Sequence, residues 1–194
     1  MIRIRVTVFC IVMFSLTAGW SGWNGSYRRR APTPVVVTTY TDITTNMTSD
    51  SDPSPLATAY STRKDSTHTA FYAFDGVTNG GHGWDSISGT LKGWIRYDWG
   101  TNITQIITKY DIIANTTGST SQSPTDWVLY GSNVSSALTI VDERHAETGW
   151  LGDERRSYVC TNSGAYRYYV LNCLTNDGSP LYIGMQEVRW YSSP

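Results

Sequence analysis

Side chains able to do chemistry are few in this chain and widely spread. Its three histidines, His68, His82 and His145, fall in separate polar stretches without the close spacing that a metal-binding helix or knuckle requires. No Gly-x-Ser-x-Gly elbow and no His-Glu-x-x-His pattern occurs. The glycines at 80, 81 and 83 are not followed by a helical pattern, so they do not form a phosphate-cradling loop. A glycosidase needs two carboxylates flanking a cleft. The pairs Asp142-Glu143 and Asp153-Glu154 are adjacent in sequence, so on a strand their side chains point to opposite faces and read as solvated charge. Asp75-Gly76 is a strong turn pair behind the apolar anchors Phe71, Tyr72 and Phe74. Binding, rather than catalysis, is the chemistry these residues suit.

The elements that would position them are strands and turns. Trp94, Ile95, Tyr97 and Trp99 occupy both faces of a short strand ending at Gly100. Val35 to Tyr40 is β-branched and predicts a strand. Residues 103–114 predict one long strand or a pair, offering Ile106, Ile107, Tyr110, Ile112 and Ile113 to a core. Residues 115–124 read as a polar loop, Trp127–Tyr130 as a strand, Gly131 to Asn133 as a turn, and Leu138 to Val141 as the next strand. Turn signals recur about every ten residues and helix signals are nearly absent, the pattern of an all-β sandwich or jelly roll.

With 194 residues, the chain is long enough for one domain with a sizeable core and an additional leader or arm. Net charge is -1 and only 16% of residues are charged, which argues against nucleic acid or an anionic bilayer as the main partner. Eight Trp and thirteen Tyr suit both β-sandwich cores and sugar- or protein-binding surfaces. Three cysteines are too few for a disulfide-built scaffold. If the turn Thr161 to Gly164 closes a simple hairpin, Cys160 and Cys173 lie roughly 23 Å apart at strand rise, beyond disulfide reach. Residues 1–19 have a basic start, an apolar run and small residues at Thr17 to Gly19, as in a secretory signal peptide. The alternation of Arg3, Arg5 and Thr7 with Ile4, Val6 and Val8 equally allows a strand-like arm that pairs with another subunit. The run is too short to span a bilayer comfortably. Residues 20–53 read as linker, and the module proper begins at 54. Five Asn-x-Ser/Thr sequons begin at Asn24, Asn46, Asn102, Asn115 and Asn133, in keeping with an exterior location.

Four blocks carry a family resemblance. Ala73-Phe74-Asp75-Gly76 with Trp84 and then Trp94 to Gly100, Asp126 to Asn133, Tyr166 to Asn172, and Gly184 to Tyr191 together resemble the discoidin module of the coagulation factor 5/8 type C family and the similar family 32 carbohydrate-binding modules. The likeness covers residues 55–191. It implies a discoidin-like jelly-roll β-sandwich with an N-terminal extended arm or leader, and a structural Ca2+ or Na+ ion held by Asp75 and Glu187 with backbone oxygens of Tyr72, Val77 and Gln186. A hard cation seeks six or more oxygens, and a tight Asp-Gly loop turns several carbonyls inward at once. Family members that bind galactose carry an arginine after the strand matching Ile106 to Ile113, where this chain reads Ile113-Ala114-Asn115. The remaining loop candidates for ligand contact are His82, Asn115, Arg144, His145 and Trp150. The resulting expectation is a non-catalytic module recognising a glycan or glycoprotein at the cell surface or outside the cell. The alternative is a structural component of a larger assembly, a virion or appendage, joined to other subunits through the arm.

Overall fold

The computed structural model describes residues 37–52, 58–62, 65–78, 82–134 and 137–194. The leader or arm at 1–19 and most of the linker lie outside these residues. The described chain forms a sandwich of antiparallel sheets with two short 3-10 turns, Ala70–Ala73 and Thr120–Gln122.

One face is a five-stranded sheet, ordered β2 (Thr58–Ser61), β4 (Gly93–Asp98), β11 (Tyr168–Asn176), β7 (Pro124–Ser132), β8 (Thr139–Arg144). The other is four-stranded, ordered β1 (Thr41–Asp42), β13 (Glu187–Ser192), β6 (Lys109–Ile113), β9 (Arg155–Val159). Two short ladders close the ends. β3 (Trp84–Asp85) pairs with β12 (Gly184–Met185), and β5 (Gln105–Ile106) pairs with β10 (Ala165–Tyr166).

The period-two alternation of β11 shows why these residues make this architecture. Tyr169, Leu171 and Cys173 are fully buried between the sheets, while Tyr168, Val170 and Asn172 face outward. In the opposite sheet Val188 and Trp190 point inward. The Trp190 ring lies within about 6.0–6.4 Å of the rings of Phe74, Tyr97, Tyr110 and Tyr169, so residues from both sheets meet on one indole. A polar bolt crosses the sandwich beside it. Trp127 Nε1 donates to Tyr110 Oη at 2.8 Å, and Tyr110 donates to Asp142 Oδ2 at 2.7 Å, with Arg144 closing on the same carboxylate at 2.7 and 3.1 Å. Burial, and then the Asp142 charge, hold the Tyr110 phenol well above its ordinary range.

Several expectations are corrected. Asp142 is fully buried and ion-paired rather than solvated, because its strand runs along the sandwich seam. Residues 37–40 form no strand. Pairing begins at Thr41–Asp42, where the closing strand offers a free edge. The boundary at 54 falls inside the fold, since Ile43 and Thr44 bond to the backbone of Trp190 and Met47 is buried under Phe74. The strand read as Trp127–Tyr130 extends through Gly131 and Ser132, and Ile106 is half exposed on its short ladder. Cys160 and Cys173 are both free thiols, but no hairpin joins them. The chain crosses from the four-stranded to the five-stranded sheet between them.

Trp190→Ala should cost about 3–5 kcal/mol in urea unfolding followed by circular dichroism, the range for emptying a large core site. A loss below about 1 kcal/mol would show that the sheets are not held together at this indole.

Candidate functional site

The closing strand brings the site together. β12 pairs Gly184 with Asp85 and Met185 with Trp84, and the chain then swings into β13, where Glu187 pairs with Ile113. Gly83 lets the two backbones touch, since a Cβ there would sit 2.7 Å from the Met185 carbonyl oxygen. Gln186 and Glu187 are thereby presented to the end of the sandwich beside the Asp75 turn.

That turn and Glu187 form a pair of sequestered carboxylates. Gly76 adopts a φ of +83°, and a Cβ there would meet Asn46 Nδ2 at 2.6 Å, so only glycine fits. Its N–H donates to Glu187 Oε1 at 3.1 Å, and Val77 N–H donates to Asp75 Oδ1 at 2.7 Å. Arg189 Nε lies 3.0 Å from Glu187 Oε1. Glu187 is fully buried, and its Oε2 has no hydrogen-bond partner. Burial pushes the Glu187 carboxyl up to about 8, opposed by Arg189 and reinforced by Asp75. The Asp75 carboxyl is also raised, chiefly by burial, against the bond from Val77 and the nearby His82. An orphaned buried oxygen next to a second carboxylate suits a hard cation, whose charge reverses the cost of ionising both. Tyr72 and Val77 flank Asp75 on the same turn. Among the described residues no group of three or more His, Cys, Asp or Glu side chains is placed to hold a metal, so a cation here would draw on backbone oxygens as well.

Next to this pair opens a cavity of about 170 Å³ lined by His68, His82, Gly83, Asp85, Asn115, Thr116, Ser119, Gln122 and Gln186. All but Gly83 carry hydrogen-bonding side chains. His82 bridges cavity and carboxylates, with Nδ1 3.4 Å from Asp75 Oδ2 and its ring edge-on to Tyr72 at 5.3 Å. His68 lies between Asp65, 2.9 Å from Nδ1, and Asp85, 3.6 Å from Nε2. Asn115 Nδ2 donates to Gln122 Oε1 at 3.0 Å, which orients both amides. Gln186 donates through Nε2 to Asp153, while its Oε1 is buried without a partner.

Of the five loop residues singled out as ligand contacts, His82 and Asn115 share this cavity. The other three lie elsewhere. Arg144 is pinned to buried Asp142 and to the Val159 carbonyl at 2.7 Å. Trp150 is a core residue, 4% exposed, with Nε1 donating to the Pro124 carbonyl and Arg156 stacked on its ring at 4.0 Å. His145 bridges Asp126 and Glu143 at 3.2 and 3.1 Å, away from the cavity. Sequence reading missed His68, Asp85, Gln122 and the side chain of Gln186. Asp85 follows Trp84 within one of the family-like blocks, so a signal for it existed. Only the folded chain brings His68 alongside.

The architecture is the discoidin, or galactose-binding-like, β-sandwich. A family 32 carbohydrate-binding module of Clostridium perfringens NanJ, solved in complex with galactose, superposes with a TM-score of 0.60 at 16% identity over 79% of this chain and all of that one. Chitosan-binding module 1 of a Paenibacillus sp. IK-5 chitosanase/glucanase gives 0.55 at 20% identity, covering 71% of this chain and 96% of the module. An F5/8 type C domain of a Bacteroides fragilis protein gives 0.58 at 13% identity, covering 71% and 91%. No family model and no curated protein matches the sequence.

The buried carboxyl pair generates a pH dependence with a definite sign. Folded Glu187 keeps a proton that the unfolded chain releases near the ordinary glutamate value of 4.5. Its contribution is therefore complete below about pH 4.5 and is lost as pH rises through about 8. Melting temperature in chelator should fall across that window, and Glu187→Gln should flatten the fall. Equal slopes in the two proteins would show that Glu187 ionises freely in the fold.

Proposed function

We propose that this chain is a non-catalytic binding module that holds one sugar residue of a cell-surface or extracellular glycan in the end cavity. In this reading a calcium ion at Asp75 and Glu187 fixes the adjoining turn. The observation that carries it is a cavity of about 170 Å³ walled by amides, hydroxyls, imidazoles and one carboxylate at the end of a discoidin-type sandwich. A sugar ring presents paired hydroxyls that both donate and accept, and this wall offers both. The similarity to a module solved with galactose, and to another from C. perfringens solved with GalNAc-β-1,3-galactose at a TM-score of 0.55 and 19% identity, supports the ligand class. Asp85 is the single carboxylate among the described lining residues, whereas glycoside hydrolysis uses two.

The ion would take its charged ligands from Glu187 Oε2 and Asp75, with backbone oxygens of Tyr72, Val77 and Gln186 completing the shell. Its role is structural. It would neutralise two carboxylates that burial disfavours and hold His82 and Gln186 at the cavity wall. No helix among the described residues is long and apolar enough to cross a membrane. The arm at residues 1–19, through which the assembly-component alternative would join other subunits, lies outside the described residues.

A glycan array probed with the full chain in calcium, and again in chelator, tests the reading. Binding to one defined sugar class is expected, weakened by roughly tenfold or more in Asn115→Ala and in Gln122→Ala, as for a lost polar anchor, and reduced in chelator. A folded protein that binds nothing, or that binds equally well with both variants, would refute the end-cavity reading.

A further inference from the structure

The loop between β8 and β9 meets the wall of the end cavity at Asp153, whose φ of +59° lies in the left-handed region that side-chain-bearing residues rarely adopt. Such a backbone persists only where its surroundings hold it, and it points to a role for the residue so held. The loop is pinned at several points. Arg156 donates to the carbonyls of Thr148 and Gly149, both at 3.1 Å, and pairs with Glu154 at 2.8 Å. Asp177 accepts from the N–H groups of Gly149 and Trp150 at 2.9 and 3.1 Å, and the Trp150 indole is buried. A loop fixed in this way can act as a brace on whatever it touches. It touches the cavity wall. Asp153 N–H donates to the Asn115 carbonyl at 3.3 Å, and Ala114 N–H donates to the Glu154 carbonyl at 2.9 Å. Gly152 lies so close to the neighbouring loop that a Cβ there would stand 2.6 Å from the Thr117 backbone nitrogen. The Asp153 carboxylate accepts from Gln186 Nε2.

We propose that Asp153 is the positioning residue of the end cavity, holding the Gln186 amide and the Asn115 backbone in the places from which they meet a sugar. The inference rests on the binding reading given above. Asn115 and Gln186 line the cavity and Asp153 does not, so Asp153 acts through them rather than on the ligand. The two are far apart in the chain, and one residue ties both, Asn115 by its N–H and Gln186 by its carboxylate. An ionised carboxylate only accepts hydrogen bonds, so it holds the nitrogen end of the Gln186 amide and fixes which way that amide is turned. Binding groups held in place by their neighbours lose less freedom when ligand arrives, and this is how a residue outside the cavity adds to affinity.

The test uses Asp153→Gly and Asp153→Asn in the full chain. Glycine takes the left-handed backbone without steric cost, so the first variant keeps the loop and removes only the carboxylate, and its melting temperature should stay within about 3 °C of the parent. Nuclear magnetic resonance then reads the Gln186 side-chain amide, identified by its loss in Gln186→Glu. Its hydrogen exchange should quicken by roughly tenfold in Asp153→Gly. On the glycan array in calcium, the same variant should bind the parent's sugars roughly tenfold more weakly, and Asp153→Asn, which keeps an acceptor oxygen, should recover most of that loss. Unchanged exchange at Gln186 in Asp153→Gly would overturn the inference. So would a loss of binding that merely follows a fall in melting temperature, which would make Asp153 a structural residue of its loop. A parent that binds while Asp153→Gly binds equally tightly sinks this inference alone, whereas a parent that binds no glycan removes the cavity reading and this inference with it.

Discussion

The structure depends on the burial of one strand, β13, from both of its faces. Val188 and Trp190 point into the sandwich, where the indole meets aromatic rings from both sheets. Glu187 and Arg189 point the other way and are covered by the Asp75 turn and by Asn46. A strand solvated on one side would leave those two charges in water. Because this one is covered on both sides, a carboxylate is taken out of water within three residues of the core tryptophan. Packing and electrostatics are therefore coupled through a six-residue strand. Anything that loosens Trp190 also loosens the seat of Glu187.

This coupling bears on the binding proposed for the end of the sandwich. Burial raises the cost of ionising Glu187 and Asp75, and Arg189 only partly offsets it. A cation would remove the remaining cost and stiffen a turn whose neighbours, His82 and Gln186, wall the polar cavity. A similar division of labour holds across the molecule. The inter-sheet bolt of Trp127, Tyr110 and Asp142 joins the two layers, which leaves the loops at one end free to carry the proposed site.

Much of the fold was legible in the residues. Trp94, Ile95, Tyr97 and Trp99 predict a strand covered on both faces because aromatic and branched residues pack well on a pleated surface, and turn signals about every ten residues predict the sandwich. Asp75-Gly76 predicts a turn because glycine adopts the left-handed backbone found there without steric cost. The failures have physical causes. Residues 37–40 carry strand propensity, but a strand forms only where an edge is offered, and among the described residues that pairing begins opposite Tyr191 and Ser192. Trp150 and Arg144 sit in polar sequence surroundings, so the burial of Trp150 against Pro124 and the pairing of Arg144 with buried Asp142 left no local sign.

The sequence by itself determined the class of architecture and the scarcity of catalytic motifs, because strand propensity, turn chemistry and residue type are local properties; the pairing of Asp75 with Glu187 was implied only by the family resemblance. Tertiary structure alone decided that Asp85, His68 and Gln186 join His82 and Asn115 around one cavity. Those neighbours come from strands and loops far apart in the chain. Contacts of that kind are set by sheet order and register, which follow from how all the faces are buried together rather than from any one segment.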